Sequence, residues 1–227
     1  MNENTAAIAV DAASIDRINR LITWLALASP IAYLLLLGVR PYPGDVILKT
    51  AMCALLAVLA WREREKLLAL ALLFSAAGDA FLGIDGERLF MPGLASFLIT
   101  QLLYAAIFVH FAKAQKARLA GWRMAALAAI PLFALTFVAV LFPELGGLAI
   151  PVVFYMAAIV TMALLSLRVA AWMVPVGAMS FVVSDSLLAL DKFLWSAPWI
   201  SPAIWMTYAL AQLLIVYGLL QLRRCRD

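Results

Sequence analysis

The sequence predicts an all-α, polytopic integral membrane protein of about eight transmembrane helices with both termini cytoplasmic, and three observations carry that prediction. Of its 227 residues 67% are hydrophobic and 13% charged, against about 45–50% and about 25% in a soluble domain, so there is too little polar surface to wrap a water-soluble fold. Apolar runs close to the ~20 residues that cross a hydrocarbon core recur along the chain, divided by short charged or turn-rich separators. None alternates apolar and polar residues as the strands of a membrane barrel do. The same composition excludes a disordered chain, a coiled coil and a disulfide scaffold, since Cys53 and Cys225 lie far apart, one in an apolar run and one in the tail.

Taken in order, residues 1–20 are a polar cytoplasmic N-terminal segment with acids at Asp11 and Asp16 and no basic region of a cleaved signal. A single transmembrane helical domain follows over 21–222, and residues 223–227 form a basic cytoplasmic tail. The spans run approximately Leu21–Val39, Val46–Trp61, Leu67–Gly83, Leu89–Phe111, Trp122–Phe142, Leu148–Leu167, Trp172–Trp195 and Pro202–Leu222. Between them lie separators such as Arg62-Glu63-Arg64-Glu65-Lys66, Asp85-Gly86-Glu87-Arg88 and Pro143-Glu144-Leu145-Gly146-Gly147. The second and third spans are the shortest and sit at the lower limit for a crossing.

Orientation follows from the basic residues. Only Arg40, Lys49, Arg88 and Lys192 of the 17 Lys and Arg fall on the side away from the N-terminus. That asymmetry puts both termini in the cytoplasm of a cell (inner) membrane, and an even number of crossings allows it. The net charge of +4 comes from residues scattered at span ends, without the basic stripe and interleaved aromatics of a nucleic-acid binder.

Charged side chains in mid-span are costly and point to function. Asp79 and Asp185 each lie about twelve residues into an outward-running span, near ~18 Å along an axis that rises 1.5 Å per residue. Ser75, a helical turn before Asp79, shares its face. Gln101 and Tyr104 in the fourth span, Tyr155 in the sixth, Ser184 in the seventh, and Tyr208 and Gln212 in the eighth fall at a similar level. Five helices therefore aim polar groups at one layer, which predicts a polar cavity opening toward the outer half of the bilayer. A lone Asp or Gln also serves as a hydrogen bond between helices, yet two carboxyls at equal depth are an expensive way to make one. Tyr33, Tyr42, Trp24, Trp195, Trp199 and Trp205 read as interface or packing residues. A weak internal repeat pairs Gly78–Asp85 with Ser184–Asp191, and Gln101-Leu102-Leu103 with Gln212-Leu213-Leu214, as a duplicated four-helix unit would.

The sequence holds no G-x-S-x-G, H-E-x-x-H, C-x-x-C, P-loop or G-x-G-x-x-G. Its one histidine, His110, lies near the cytoplasmic end of the fourth span, at the wrong depth for a triad with either Asp and too few for a histidine metal site. Two carboxyls in apolar surroundings remain, able to share a proton between them. Such a pair does general acid/base work on a lipid, relays protons in a small-solute transporter, or only binds lipid or holds helices together.

Ser75-Ala76-Ala77-Gly78-Asp79 with Phe81-Leu82, then Phe90, Gly93, Phe97 and Tyr104, then Ser184-Asp185-Ser186-Leu187-Leu188-Ala189 with Lys192-Phe193, and Tyr208 with Ala211-Gln212-Leu213-Leu214-Ile215 resemble the YhhN-type lysoplasmalogenase family. The likeness covers the second to the eighth span. It departs at Gln101, where the family pattern has a His, and at Lys49-Thr50, where it often has Lys-Pro. The resemblance implies hydrolysis of the vinyl ether bond of lysoplasmenyl-ethanolamine or -choline to a fatty aldehyde and a glycerophospho-base, with no cofactor. That chemistry needs an acid and an anion beside the cation, which makes Asp79 and Asp185 the expected acid and base or electrostatic stabiliser, in either order. Ser75, Gln101, Tyr104, Tyr155, Ser184, Tyr208 and Gln212 would surround the substrate, and Lys192 would meet the lipid phosphate or simply snorkel to the interface. The expected partners are a lysophospholipid and the bilayer, with a homodimer compatible with the sequence.

Overall fold

A computed structural model describes residues 3–39, 42, 44–114, 117–119 and 121–225. Eight α-helices account for nearly all of them: α1 (Glu3–Leu35), α2 (Asp45–Arg62), α3 (Lys66–Ile84), α4 (Phe90–Ala114), α5 (Trp122–Leu141), α6 (Ala149–Ser166), α7 (Met173–Phe193) and α8 (Ile200–Arg224). No strand occurs among the described residues. Their limits follow the apolar runs closely, except that α1 starts at Glu3 and carries the polar lead-in as part of the same helix. Arg40, Lys116 and Arg226, three of the basic residues weighed for orientation, lie outside the described residues.

Seven of these helices are long and apolar enough to cross a membrane. The exception is α2, whose 18 residues include Asp45, Lys49 and Arg62. The chain is a multi-pass integral membrane protein, and its outer surface agrees. Leu35 is 78% exposed, Ile47 74%, Ile150 72% and Leu135 71%, a solvent-facing apolar coat that only lipid makes favourable.

Short connections set neighbours side by side. Arg64 takes a positive φ of 62° in the tight turn from α2 to α3, and Asp85 Oδ1 accepts the backbone N–H groups of Glu87 and Arg88 at 3.2 and 2.9 Å at the turn into α4. The closest packings are α7 on α8, α2 on α3, α3 on α4, α1 on α2 and α4 on α6. The α5 helix lies at the periphery against α6, so α4 passes α5 over and pairs with α6. Small residues let backbones approach: a Cβ on Gly177 would stand 2.9 Å from the Ala211 carbonyl oxygen and 3.0 Å from the Ile215 nitrogen. Trp205, 3% exposed, packs on Tyr33 with ring centroids 4.6 Å apart and donates its indole N–H to the Pro30 carbonyl at 3.0 Å, tying α8 to α1. Trp24, Trp195 and Trp199 remain exposed on the outside.

Candidate functional site

Each polar pair inside the bundle follows helical spacing. Ser75 and Asp79 lie four residues apart on α3, Tyr208 and Gln212 four apart on α8, and the two pairs face each other rung by rung. Tyr208 donates its hydroxyl to Asp79 Oδ2 at 2.8 Å, and one turn away Gln212 Nε2 donates to Ser75 Oγ at 2.9 Å. Tyr104 from α4 closes the ladder by donating to Gln212 Oε1 at 2.5 Å. Ser75 also lies 3.3 Å from the Thr100 hydroxyl. Nothing in this ladder is open, since Ser75, Tyr104 and Gln212 are 0% exposed and Asp79 3%. Buried polar groups persist only when paired, and these are paired.

The second carboxyl sits differently. Tyr155 on α6 donates its hydroxyl to Asp185 Oδ2 on α7, and Gln101 Nε2 donates to the Tyr155 oxygen at 3.4 Å. Gln101 Oε1 is buried without a hydrogen bond among the described residues. Asp185 is only partly buried and opens onto a narrow cavity of about 50 Å³. The wall comes mainly from Leu82 on α3, Phe90, Leu94 and Phe97 on α4, Val152, Met156 and Ile159 on α6, and Val182, Leu188, Ala189 and Phe193 on α7. Tyr155, Asp185 and Ser186 are the polar residues among its lining. The expected cavity therefore exists but is apolar, because most of the polar layer is spent on bonds within itself. Phe97 forms the partition: it lines the cavity, packs on Gly78 and stands edge-on to Tyr208 at 5.9 Å.

Asp79 is thus packed shut within the ladder while Asp185 borders the cavity, and Asp79 lies within electrostatic reach of Asp185. Ser184 is turned elsewhere, its hydroxyl donating to the Ile204 carbonyl at 3.0 Å and holding α7 to α8. Lys192 is exposed at the rim, with Nζ 5.3 Å from the centroid of the Phe90 ring. The sequence reading missed two α2 residues. Cys53 is fully buried with its sulfur 3.1 Å from the Tyr208 hydroxyl, and Lys49 lies within electrostatic reach of Asp79. The sequence marks Lys49 as a cation on the side away from the N-terminus and as part of the Lys49-Thr50 departure, and Cys53 as part of an apolar run; a cation near the start of a short span is the available signal. Among the described residues no group of three or more His, Cys, Asp or Glu gathers that could hold a metal ion.

Fold and site together define a multi-pass helical membrane protein with two intramembrane carboxyl groups, each bonded to a tyrosine, one of them facing an apolar cavity. The sequence model of the YhhN family matches residues 44–219, a span that holds every site residue from Lys49 to Gln212, and the chain belongs to that family. Similar proteins include a lysoplasmalogenase from Mycobacterium bovis, 33% identical over 215 residues that cover 86% of this chain and 80% of the relative. Lysoplasmalogenase TMEM86A from Bos taurus is 37% identical over 163 residues, covering 67% of this chain and 64% of the relative. The Homo sapiens TMEM86A is 32% identical over the same length and coverage. No solved structure matches the chain.

Proposed function

We propose that this protein is a lysoplasmalogenase, hydrolysing the vinyl ether bond of a lysophospholipid by acid-catalysed hydration. A vinyl ether is protonated on carbon, and the resulting oxocarbenium ion captures water to give a hemiacetal, which collapses to a fatty aldehyde and the free glycerol hydroxyl. The step needs a proton donor in contact with an apolar chain, a negative charge near the cation, and one placed water. The observation that carries the reading is that Asp185, with Tyr155 bonded to it, opens onto an apolar cavity while Asp79 is closed behind Phe97.

In this reading Asp185 is the acid, which protonates the alkene and, as a carboxylate, takes a proton back from the attacking water; its place on the cavity supports that role. Asp79, held by Tyr208 and accompanied by Lys49, is the fixed negative charge that steadies the cation. Gln101 Oε1, an acceptor without a partner among the described residues, orients the water at the position where the family pattern has a His. Ser75, Tyr104, Tyr208 and Gln212 position Asp79 rather than touch substrate. Lys192 at the rim meets the lipid phosphate. The excess of Lys and Arg at one set of span ends supports a cell-membrane location with both termini cytoplasmic.

The test is aldehyde release by the purified protein from a lysoplasmalogen beside the matching ester lysolipid, for wild type, Asp185→Asn and Asp79→Asn. Aldehyde from the vinyl ether alone, with kcat lowered about 10²–10⁴-fold in folded Asp185→Asn, is the expected result. No aldehyde from well-folded wild type would overturn the assignment.

A further inference from the structure

The ends of the helices on the N-terminal side carry most of the chain's cations, and acidic partners lie within reach of only some of them. Around α1, α2 and α8 three of them have side-chain partners: Arg223 Nη1 lies 2.7 Å from Glu65 Oε1, Arg224 Nη2 lies 2.9 Å from Glu63 Oε1, and Arg62 donates to the Asn19 amide oxygen at 2.6 Å. Around α4, α5 and α6 no such partner is available, because no Asp or Glu lies between Glu87 and Glu144, or between Glu144 and Asp185. Arg123 solves this with backbone, its buried guanidinium donating to the carbonyls of Leu167 at 2.5 Å and Val169 at 2.8 Å beyond the end of α6. Lys113, Arg118 and Arg168 have no ion pair among the described residues, and all three are exposed.

These three converge. Arg168 lines a groove of about 420 Å³ with Lys113 of α4, and the floor of that groove is the apolar Val109, Ala112 and Leu165. On its other side Arg168 lines a second recess of about 340 Å³ with Arg118. The Ala117 N–H donates to the Arg168 carbonyl at 2.9 Å, which fixes the loop bearing Arg118 to the end of α6. Cations above an apolar trough at a helix end, at the level where headgroups lie, match an amphiphile with a phosphate at one end and an acyl chain at the other. A free phosphate would use the cations and leave the trough empty.

We propose that Lys113, Arg118 and Arg168 bind the phosphate headgroup of an anionic membrane phospholipid, its chain lying in the groove between the ends of α4 and α6. The site is separate from the Asp185 cavity and does not depend on what that cavity does. Occupancy clamps α4 to α6, the helices that carry Gln101 and Tyr155.

The test uses the full-length protein in detergent, with lipid retention read by native mass spectrometry and thermal unfolding read beside it, for added phosphatidylglycerol, phosphatidylcholine and glycerol 1-phosphate. Phosphatidylglycerol is retained over phosphatidylcholine and raises Tm. Arg168→Gln lowers that preference about fivefold or more, Arg168→Lys restores most of it, and Arg224→Gln, an equal change in net charge, leaves it intact. If Arg168→Gln does not fold, Arg118→Gln in the loop gives the same reading. Equal retention of the two lipids, or an equal loss in Arg224→Gln, overturns the proposal. So does stabilisation by glycerol 1-phosphate as large as by the lipid, which would mark a site for soluble phosphate.

Discussion

Tyr155 links Gln101 to the Asp185 carboxyl, since its oxygen accepts from Gln101 and its hydroxyl donates to Asp185. Removing that hydroxyl leaves ring packing intact but frees the Asp185 carboxyl to swing and strips Gln101 Nε2 of its acceptor, a loss of about 1–3 kcal/mol per unpaired buried group. Tyr155→Phe is expected to lower kcat about 10–100-fold with KM little changed, which steady-state aldehyde release measures. A fall in thermal stability with kcat untouched would make Tyr155 a structural tie only. Asp79 and Asp185 were legible in the sequence because a carboxylate in an apolar run announces itself by cost. Phe97 and Cys53 were not, since an aromatic or a thiol in such a run costs nothing to bury and only the fold reveals that one walls the cavity and the other touches Tyr208. Ser184 misled for the opposite reason: its depth is right, but its hydroxyl is spent on the Ile204 carbonyl.

At the scale of elements, the α7–α8 seam is where the backbone comes closest to backbone. Gly→Ala in an exposed helix interior gains about 1 kcal/mol of propensity. At Gly177 the added methyl meets the Ala211 carbonyl at 2.9 Å and the Ile215 nitrogen at 3.0 Å, atoms that move only if a helix moves. The clash outweighs the propensity, and Gly177→Ala is expected to destabilise by about 1–3 kcal/mol, seen as a lower Tm in detergent. At Gly38, where a Cβ would meet nothing within 4 Å, the same substitution carries no such penalty and serves as the control. Helix limits were readable because apolar runs and charged separators alternate along the chain. The α4–α6 pairing was not, because every span is apolar on all sides and sequence order alone favours α4 beside α5. That pairing builds the cavity, whose wall is shared by α4 and α6.

For the whole molecule, the two free cysteines report both orientation and core integrity. Cys225 is exposed at the end of α8 and Cys53 is buried beside Tyr208. A membrane-impermeant maleimide is expected to label Cys225 in inverted vesicles and not in right-side-out ones, while Cys53 reacts only after unfolding. Labelling in right-side-out vesicles alone would reverse the orientation read from the basic residues. The α2 helix carries one more consequence, for biosynthesis. It falls outside the helices apolar enough to cross by themselves, yet it brings Cys53 to Tyr208 and packs on α3 across a tight turn. A lone Lys at a helix centre costs roughly 2.5–3.5 kcal/mol to insert, less near the end. The translocon is therefore expected to hold α2 until α3 emerges and to release the two into lipid as a hairpin. Glycosylation mapping of nascent chains would then find α2 uninserted when α3 is deleted and inserted when it follows, so that half of the Asp79 environment is completed only after Asp79 itself has left the ribosome.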